Sequence, residues 1–116
     1  MTTSTLSTNV RKLGAASVID LKGDVTGFSE SILMDAYTEA IKGNVKAIIL
    51  NFSSLDYLNS SGIGLLVTML IRTQRNRQAM LACGLSQHYV EIFRLTRLDE
   101  AIGIFDTETE ALAAVK

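Results

Sequence analysis

Two short apolar runs, KAIILNF at residues 46–52 and QAMLACG at residues 78–84, constrain the fold more than any other feature of this chain. Neither is long enough for a helix, and neither alternates polar with apolar, so each reads as a central strand covered on both sides. Between them lies a stretch of helical periodicity. Strand, helix and strand in that order make a right-handed crossover joining parallel strands. The chain is therefore expected to be an α/β protein with helices packed on its sheet.

The flanking segments extend that plan. Residues 9–13 suit an edge strand, Gly14 a hairpin turn, and ASVIDLKG a second strand whose Ser17, Ile19 and Leu21 face a core while Val18, Asp20 and Lys22 face a wetter side. From residue 29 to 42, Ile32, Leu33, Ala36, Tyr37, Ala40 and Ile41 recur at helical spacing, with Gly43 as the stop. A third helix is expected after Ser86, burying Tyr89, Val90 and Phe93. AIGIF then reads as a short strand, and Thr107 with Glu110 as a capping box opening a last helix that carries Leu112 and Val115. The expected order is β-β-α-β-α-β-α-β-α, a five-strand sheet with about four helices. Residues 1–7, rich in Thr and Ser, read as a flexible tail.

At 116 residues, 47% hydrophobic and 20% charged, the chain can bury one core and only one, so residues 1–116 are expected to form a single domain. Lys and Arg number 11 against 12 Asp and Glu, a net charge of −1 that argues against nucleic acid or an anionic membrane as the main partner. Cys83, the one cysteine, reads as a buried, inert thiol suited to a reducing compartment. No run approaches the ~18 apolar residues of a membrane span, and MTTSTLSTN lacks the features of a signal peptide, so a cytoplasmic protein is expected.

Catalytic machinery is sparse. His88 is the sole histidine and reads as solvated; no G-x-S-x-G elbow, P-loop or complete G-x-G-x-x-G is present, and metal-ligating residues are scattered. No catalytic residue, metal site or cofactor is expected. A serine enzyme would require His88 to reach Ser60 or Ser61 through the fold. Arg72, Arg75 and Arg77 have a plain role in offsetting the dipole at a helix C-terminus. Asp24, in KGDVTG, either holds a turn or contributes to a binding surface.

The segment LDYLNSSGIGLLVTML, residues 55–70, carries most of the functional information. Asn59, Ser60 and Ser61 are all good helix N-caps, so one hydroxyl is accounted for by capping and the second is not. Gly62 and Gly64 are poor helix formers, about 1 kcal/mol each below alanine, which points to a close approach. Free amides and the positive dipole end favour an anion such as a phosphate there. At about 100° per residue, Ile63, Leu66, Val67, Leu70 and Ile71 fall on one side. Leu65 and Met69 fall opposite, in line with Ser61 and Arg72. Either a neighbouring helix covers them or they form an apolar strip that meets a partner; the strip is the reading adopted.

From IDLKGDV through AIILNFSSLDYLNSSGIGLLV to FDTETEAL, nearly the whole chain resembles the STAS domain, specifically the single-domain anti-sigma factor antagonists of bacteria. The resemblance implies a mixed sheet and a binding switch. In that family the unphosphorylated domain captures an anti-sigma factor that is itself a serine kinase, freeing the sigma factor for transcription. Phosphorylation of the first serine of the pair, here Ser60, ends the capture, and a PP2C-type phosphatase restores it. Together with the strip and the Asp24 loop read above, the expected partner-binding residues are Asp24, Asn59, Ser60, Ser61, Gly62, Gly64, Leu65, Met69 and Arg72. Two positions depart from the family pattern, Asn59 standing where aspartate usually precedes the serine and Asn51 where aspartate often ends the central strand. An alternative role for such domains is a scaffold or accessory subunit of a signalling complex or transport system, without a kinase cycle.

Overall fold

The computed structural model describes residues 5–115. Its first strand, β1 (Ser7–Leu13), turns at Gly14, which adopts a left-handed φ of 63°, and returns as β2 (Ala16–Val25). A single 3₁₀ turn (Gly27–Ser29) leads into α1 (Glu30–Ala40). There follow β3 (Ala47–Leu58), α2 (Ser60–Arg75), β4 (Ala79–Cys83), α3 (Gln87–Leu95), β5 (Gly103–Phe105) and α4 (Glu108–Ala113). The strands lie in the order β1-β2-β3-β4-β5, with β1 antiparallel to β2 and every other neighbouring pair parallel. The mixed sheet and the element order agree with the sequence reading.

The two apolar runs are buried on both faces, as their lack of alternation requires. Ile48, Leu50 and Phe52 of β3 enter a main core with Ile19 and Leu21 of β2, Leu33 and Tyr37 of α1, and Leu66 of α2. Ala47 and Ile49 face the other way and join Val18, Leu81 and Cys83 beneath Ala111 of α4. Val18 was expected on a wetter face; α4 covers it, and that face becomes wet only at Asp20 and Lys22. α4 opens with the expected capping box, Thr107 Oγ1 accepting from the Glu110 N–H at 3.1 Å and Glu110 Oε1 from the Thr107 N–H at 3.1 Å.

Other boundaries shift for local reasons. The tail expected through residue 7 ends sooner, because Leu6 is 3% exposed in the main core and Ser7 already pairs with Lys22; residues 1–4 lie outside the described residues. In α3 only Phe93 is fully buried, its ring edge-on to Phe52 with centroids 6.2 Å apart. Tyr89 and Val90 are half-buried, and the Tyr89 hydroxyl accepts from the Leu58 N–H at 3.0 Å. Thus α3 is anchored to the strand end from which α2 begins.

Candidate functional site

β2 and β3 run parallel and end together, with Asp24 opposite Tyr57 and Val25 opposite Leu58. The carboxyl ends of parallel strands are where an α/β sheet leaves room for a site, since the connecting segments diverge there. Both the 3₁₀ turn and α2 start from this edge. The Asn59 N–H donates to the Val25 carbonyl at 3.3 Å and links the two.

Asn59 is the cap of α2. Its backbone is extended, at φ −104° and ψ 180°, and its Oδ1 accepts from the Gly62 N–H at 2.9 Å. The expectation that one serine supplies the cap is therefore corrected: Asn59 is the last extended residue, whereas Ser60 and Ser61 are already helical. Both serines are exposed, and neither hydroxyl is hydrogen-bonded among the described residues. Two hydroxyls thus stand free at a helix start whose capping demand is met elsewhere.

The glycines differ in purpose. A Cβ on Gly62 would lie 2.2 Å from the Val25 carbonyl oxygen, so only glycine lets α2 approach the end of β2 this closely. A Cβ on Gly64 would meet nothing within 4 Å. Gly64 leaves bare helix backbone next to the serines. On the other flank, a Cβ on Gly27 would come within 3.3 Å of Ser61 Cβ, which sets the 3₁₀ turn directly beside the motif.

The apolar strip assigned to Leu65 and Met69 is overturned. Met69 is 0% exposed and belongs to the main core, while Leu65 is half-buried against that core. The buried positions of α2 are Gly62, Leu66, Met69, Leu70 and Thr73, a stripe rotated toward Met69 from the one expected. The close approach of Gly62 to Val25 turns that side of α2 toward the sheet, and Met69 joins the main core that α1 and α2 share. Ile71, assigned to the core, is instead 45% exposed, and Ile63 and Val67 are half-buried. The outward face of α2 therefore carries Ser60, Ser61, Gly64, Thr68, Ile71 and Arg72. Arg72 lies about 18 Å along the axis from Ser60, at 1.5 Å per residue, so the fold does not bring it to the serines.

Asp24 is neither a free loop residue nor a turn cap. At 8% exposure it lines a hollow of about 230 Å³ with Leu6, Thr26, Phe28, Ser29 and Ile32. Phe28 is the residue missed from sequence: it is 98% exposed on the 3₁₀ turn, next in the chain to Gly27, which approaches Ser61. The available signal was TGFS itself, a Thr-x-x-Ser capping pattern holding an aromatic residue. Thr26 Oγ1 accepts from the Phe28 N–H at 3.2 Å, and Ser29 Oγ accepts from the Thr26 N–H at 3.0 Å.

Asn51 belongs to a separate polar cluster where α4 meets the strands. Arg11 forks Asp20 with two bonds of 2.8 Å and reaches Glu108 through both terminal nitrogens, while Asn51 Nδ2 donates to Glu108 Oε1 at 3.3 Å. The Arg11 guanidinium, chiefly through these hydrogen bonds, holds both carboxyls below the usual carboxylate range and is itself held protonated by them. Asn51 faces Asp20 across the ladder, and an aspartate there would add a third carboxylate around one cation. Cys83 lies on the same buried face; burial pushes its thiol up to about 11. Among the described residues no cluster of three His, Cys, Asp or Glu could hold a metal, and no helix is long and apolar enough to cross a membrane.

The same architecture occurs in solved proteins. An anti-sigma factor antagonist from Mycobacterium paratuberculosis superposes with a TM-score of 0.82 at 20% identity, over 96% of this chain and 94% of that one. The Bacillus cell fate determinant SpoIIAA in its phosphorylated form gives 0.73 at 23% identity, over 95% and 100%. A sulfate transporter family protein from Wolinella succinogenes gives 0.75 at 18%, over 89% and 86%. Likeness at these identities establishes the shared fold. The STAS domain family model matches residues 7–111, nearly the full length, and the chain belongs to the STAS domain family.

Proposed function

We propose that this domain is an anti-sigma factor antagonist, a binding switch controlled by phosphorylation of Ser60. The observation that carries the reading is the division of labour at the start of α2: Asn59 caps the helix, and the Ser60 hydroxyl is exposed and without a hydrogen bond among the described residues, open to a kinase. A phosphate there adds about −1.5 to −2 charges at pH 7 beside the positive end of a helix, which the fold tolerates. A docked apolar partner does not accept a desolvated dianion, so the interface is lost while the domain persists. Unphosphorylated, the surface around Ser60, Ser61, Gly64 and Phe28 captures an anti-sigma factor serine kinase and frees a sigma factor. A PP2C-type phosphatase resets the cycle. Solved structures named as anti-sigma factor antagonists, among them SpoIIAA, which is also known in a phosphorylated form, support this reading.

Asn59 favours a second reading, because a neutral residue precedes the acceptor where the family usually carries aspartate. A STAS scaffold or accessory subunit of a signalling complex or transport system, without a kinase cycle, uses the same face without modification, and a sulfate transporter family protein shares this fold. Intact-mass and peptide mass spectrometry of protein from its own cells, beside Ser60→Ala, separates the two. A phosphate on residue 60 that the variant lacks is the expected result. Its absence across growth conditions, or labelling that survives the substitution, rejects the switch in favour of the scaffold.

A further inference from the structure

We propose that the hollow bordered by Lys46 and Arg77, at the opposite end of the sheet from Ser60, binds an amphipathic carboxylate of the fatty-acid class. The inference stands apart from the partner-switch reading. The serines follow the ends of β2 and β3, whereas this hollow is lined by Ala47 and Ala79, where β3 and β4 begin. Its volume is about 480 Å³, against about 230 Å³ for the hollow beside Asp24. Two features of the chain create it. Ala16, Ala47 and Ala79 are ladder partners in a row across three strands, so the sheet begins with methyl groups where larger side chains would fill the space. α4 spans only six residues, about 9 Å at 1.5 Å per residue, and Ala79 is left exposed.

The lining specifies the ligand. Ala47, Ala79, Leu81 and Val115 make the surface apolar and suit an alkyl chain. Lys46 and Arg77 border the same space, and no acidic residue lines it. The Ala79 N–H donates to the Lys46 carbonyl at 2.9 Å, which sets Lys46 beside the segment carrying Arg77, so both long side chains can reach one headgroup. Neither has an ion pair among the described residues. A solvated cation needs no partner, but two beside one apolar hollow favour a ligand that joins a negative head to an apolar tail. Helix dipoles do not account for them. Arg72 and Arg75 already occupy the last turn of α2, and Arg77 lies beyond its cap at a left-handed φ of 57°, where glycine is the relaxed choice. The end of α4 presents at most about half a negative charge, less than two full cations. A nucleotide fits poorly, because α2 and α4 end here rather than begin, leaving no free helix amides for a phosphate, and no aromatic ring lines the hollow.

The test is amide-resolved NMR titration of the full chain with sodium octanoate, with octanol as the uncharged analogue and sodium acetate as the headgroup alone. Octanoate is expected to shift amides of residues 46–47, 77–81 and 112–115, and octanol and acetate to shift them much less. Absent shifts, equal shifts with either control, or shifts centred elsewhere in the chain overturn the assignment. Arg77→Gly removes one cation and relaxes the left-handed backbone, so it is expected to keep its melting transition and to weaken octanoate binding about tenfold or more. Ala79→Leu, at an exposed position, is expected to fill the hollow and abolish the response. Unchanged octanoate affinity in either folded variant overturns the proposal. Phosphorylation of Ser60 is read separately, so either inference can fail while the other holds.

Discussion

At the scale of single residues, the site is built from a cap, two free hydroxyls and two glycines with opposite purposes. Gly62→Ala drives a Cβ into the Val25 carbonyl and is expected to lower stability by about 3 kcal/mol, the upper end of the overpacking range. Gly64→Ala adds a methyl to open space on an exposed helix face and is expected to raise stability by up to about 1 kcal/mol. Urea unfolding of the pair reads the difference directly, and similar values for both would mean that the contact with Val25 does not constrain the helix. Asn59→Ala should cost about 1 kcal/mol. Asn59→Asp keeps the acceptor and gains a few tenths from the dipole. It also places a charge next to Ser60, so comparing the rate of Ser60 phosphorylation in Asn59→Asp and wild type measures what the departure from the family pattern does.

At the scale of elements, α2 shows why periodicity alone misplaced a face. Ten of its sixteen residues run from Gly62 to Ile71 with apolar side chains nearly all round, so a helical wheel offers two candidate stripes. Choosing between them requires knowing that Met69 enters the core shared with α1 and the sheet and that Gly62 abuts Val25, contacts made by segments far apart in sequence. Met69→Lys is accordingly expected to unfold the domain, whereas Ile71→Lys should leave the melting transition nearly unchanged. Circular dichroism melts of the two distinguish the observed face from the alternative. The strands were more legible: AIIL in β3 and MLAC in β4 allow no second assignment, because a run without alternation is stable only when covered on both faces.

At the scale of the whole molecule, Arg11 ties β1, β2 and α4 together through Asp20 and Glu108. Both carboxyls are held below their ordinary range, so they contribute stability that is present above their unfolded values, near pH 4, and is lost as pH falls through the lower folded ones. The groups are partly exposed, and solvent screening limits the cluster to about 1 kcal/mol. Arg11→Met should remove about that much at pH 7 and flatten the acid limb of the stability curve, as denaturant titrations from pH 7 to pH 3 would measure. Cys83 offers an independent probe of integrity. With its thiol buried and pushed up to about 11, it should resist a thiol reagent at neutral pH until the domain unfolds.

The sequence by itself determined the class and order of the elements, the caps at Asn59 and Thr107 as candidates, and the serine pair at the start of α2, since all of these depend on neighbours within a few residues. Tertiary structure alone decided which residue at 59–61 does the capping, which face of α2 looks outward, and that Asp24 and Phe28 line one hollow. Those outcomes depend on the parallel pairing that ends β2 and β3 together, a contact between residues more than thirty positions apart, and no local pattern in the chain encodes its register.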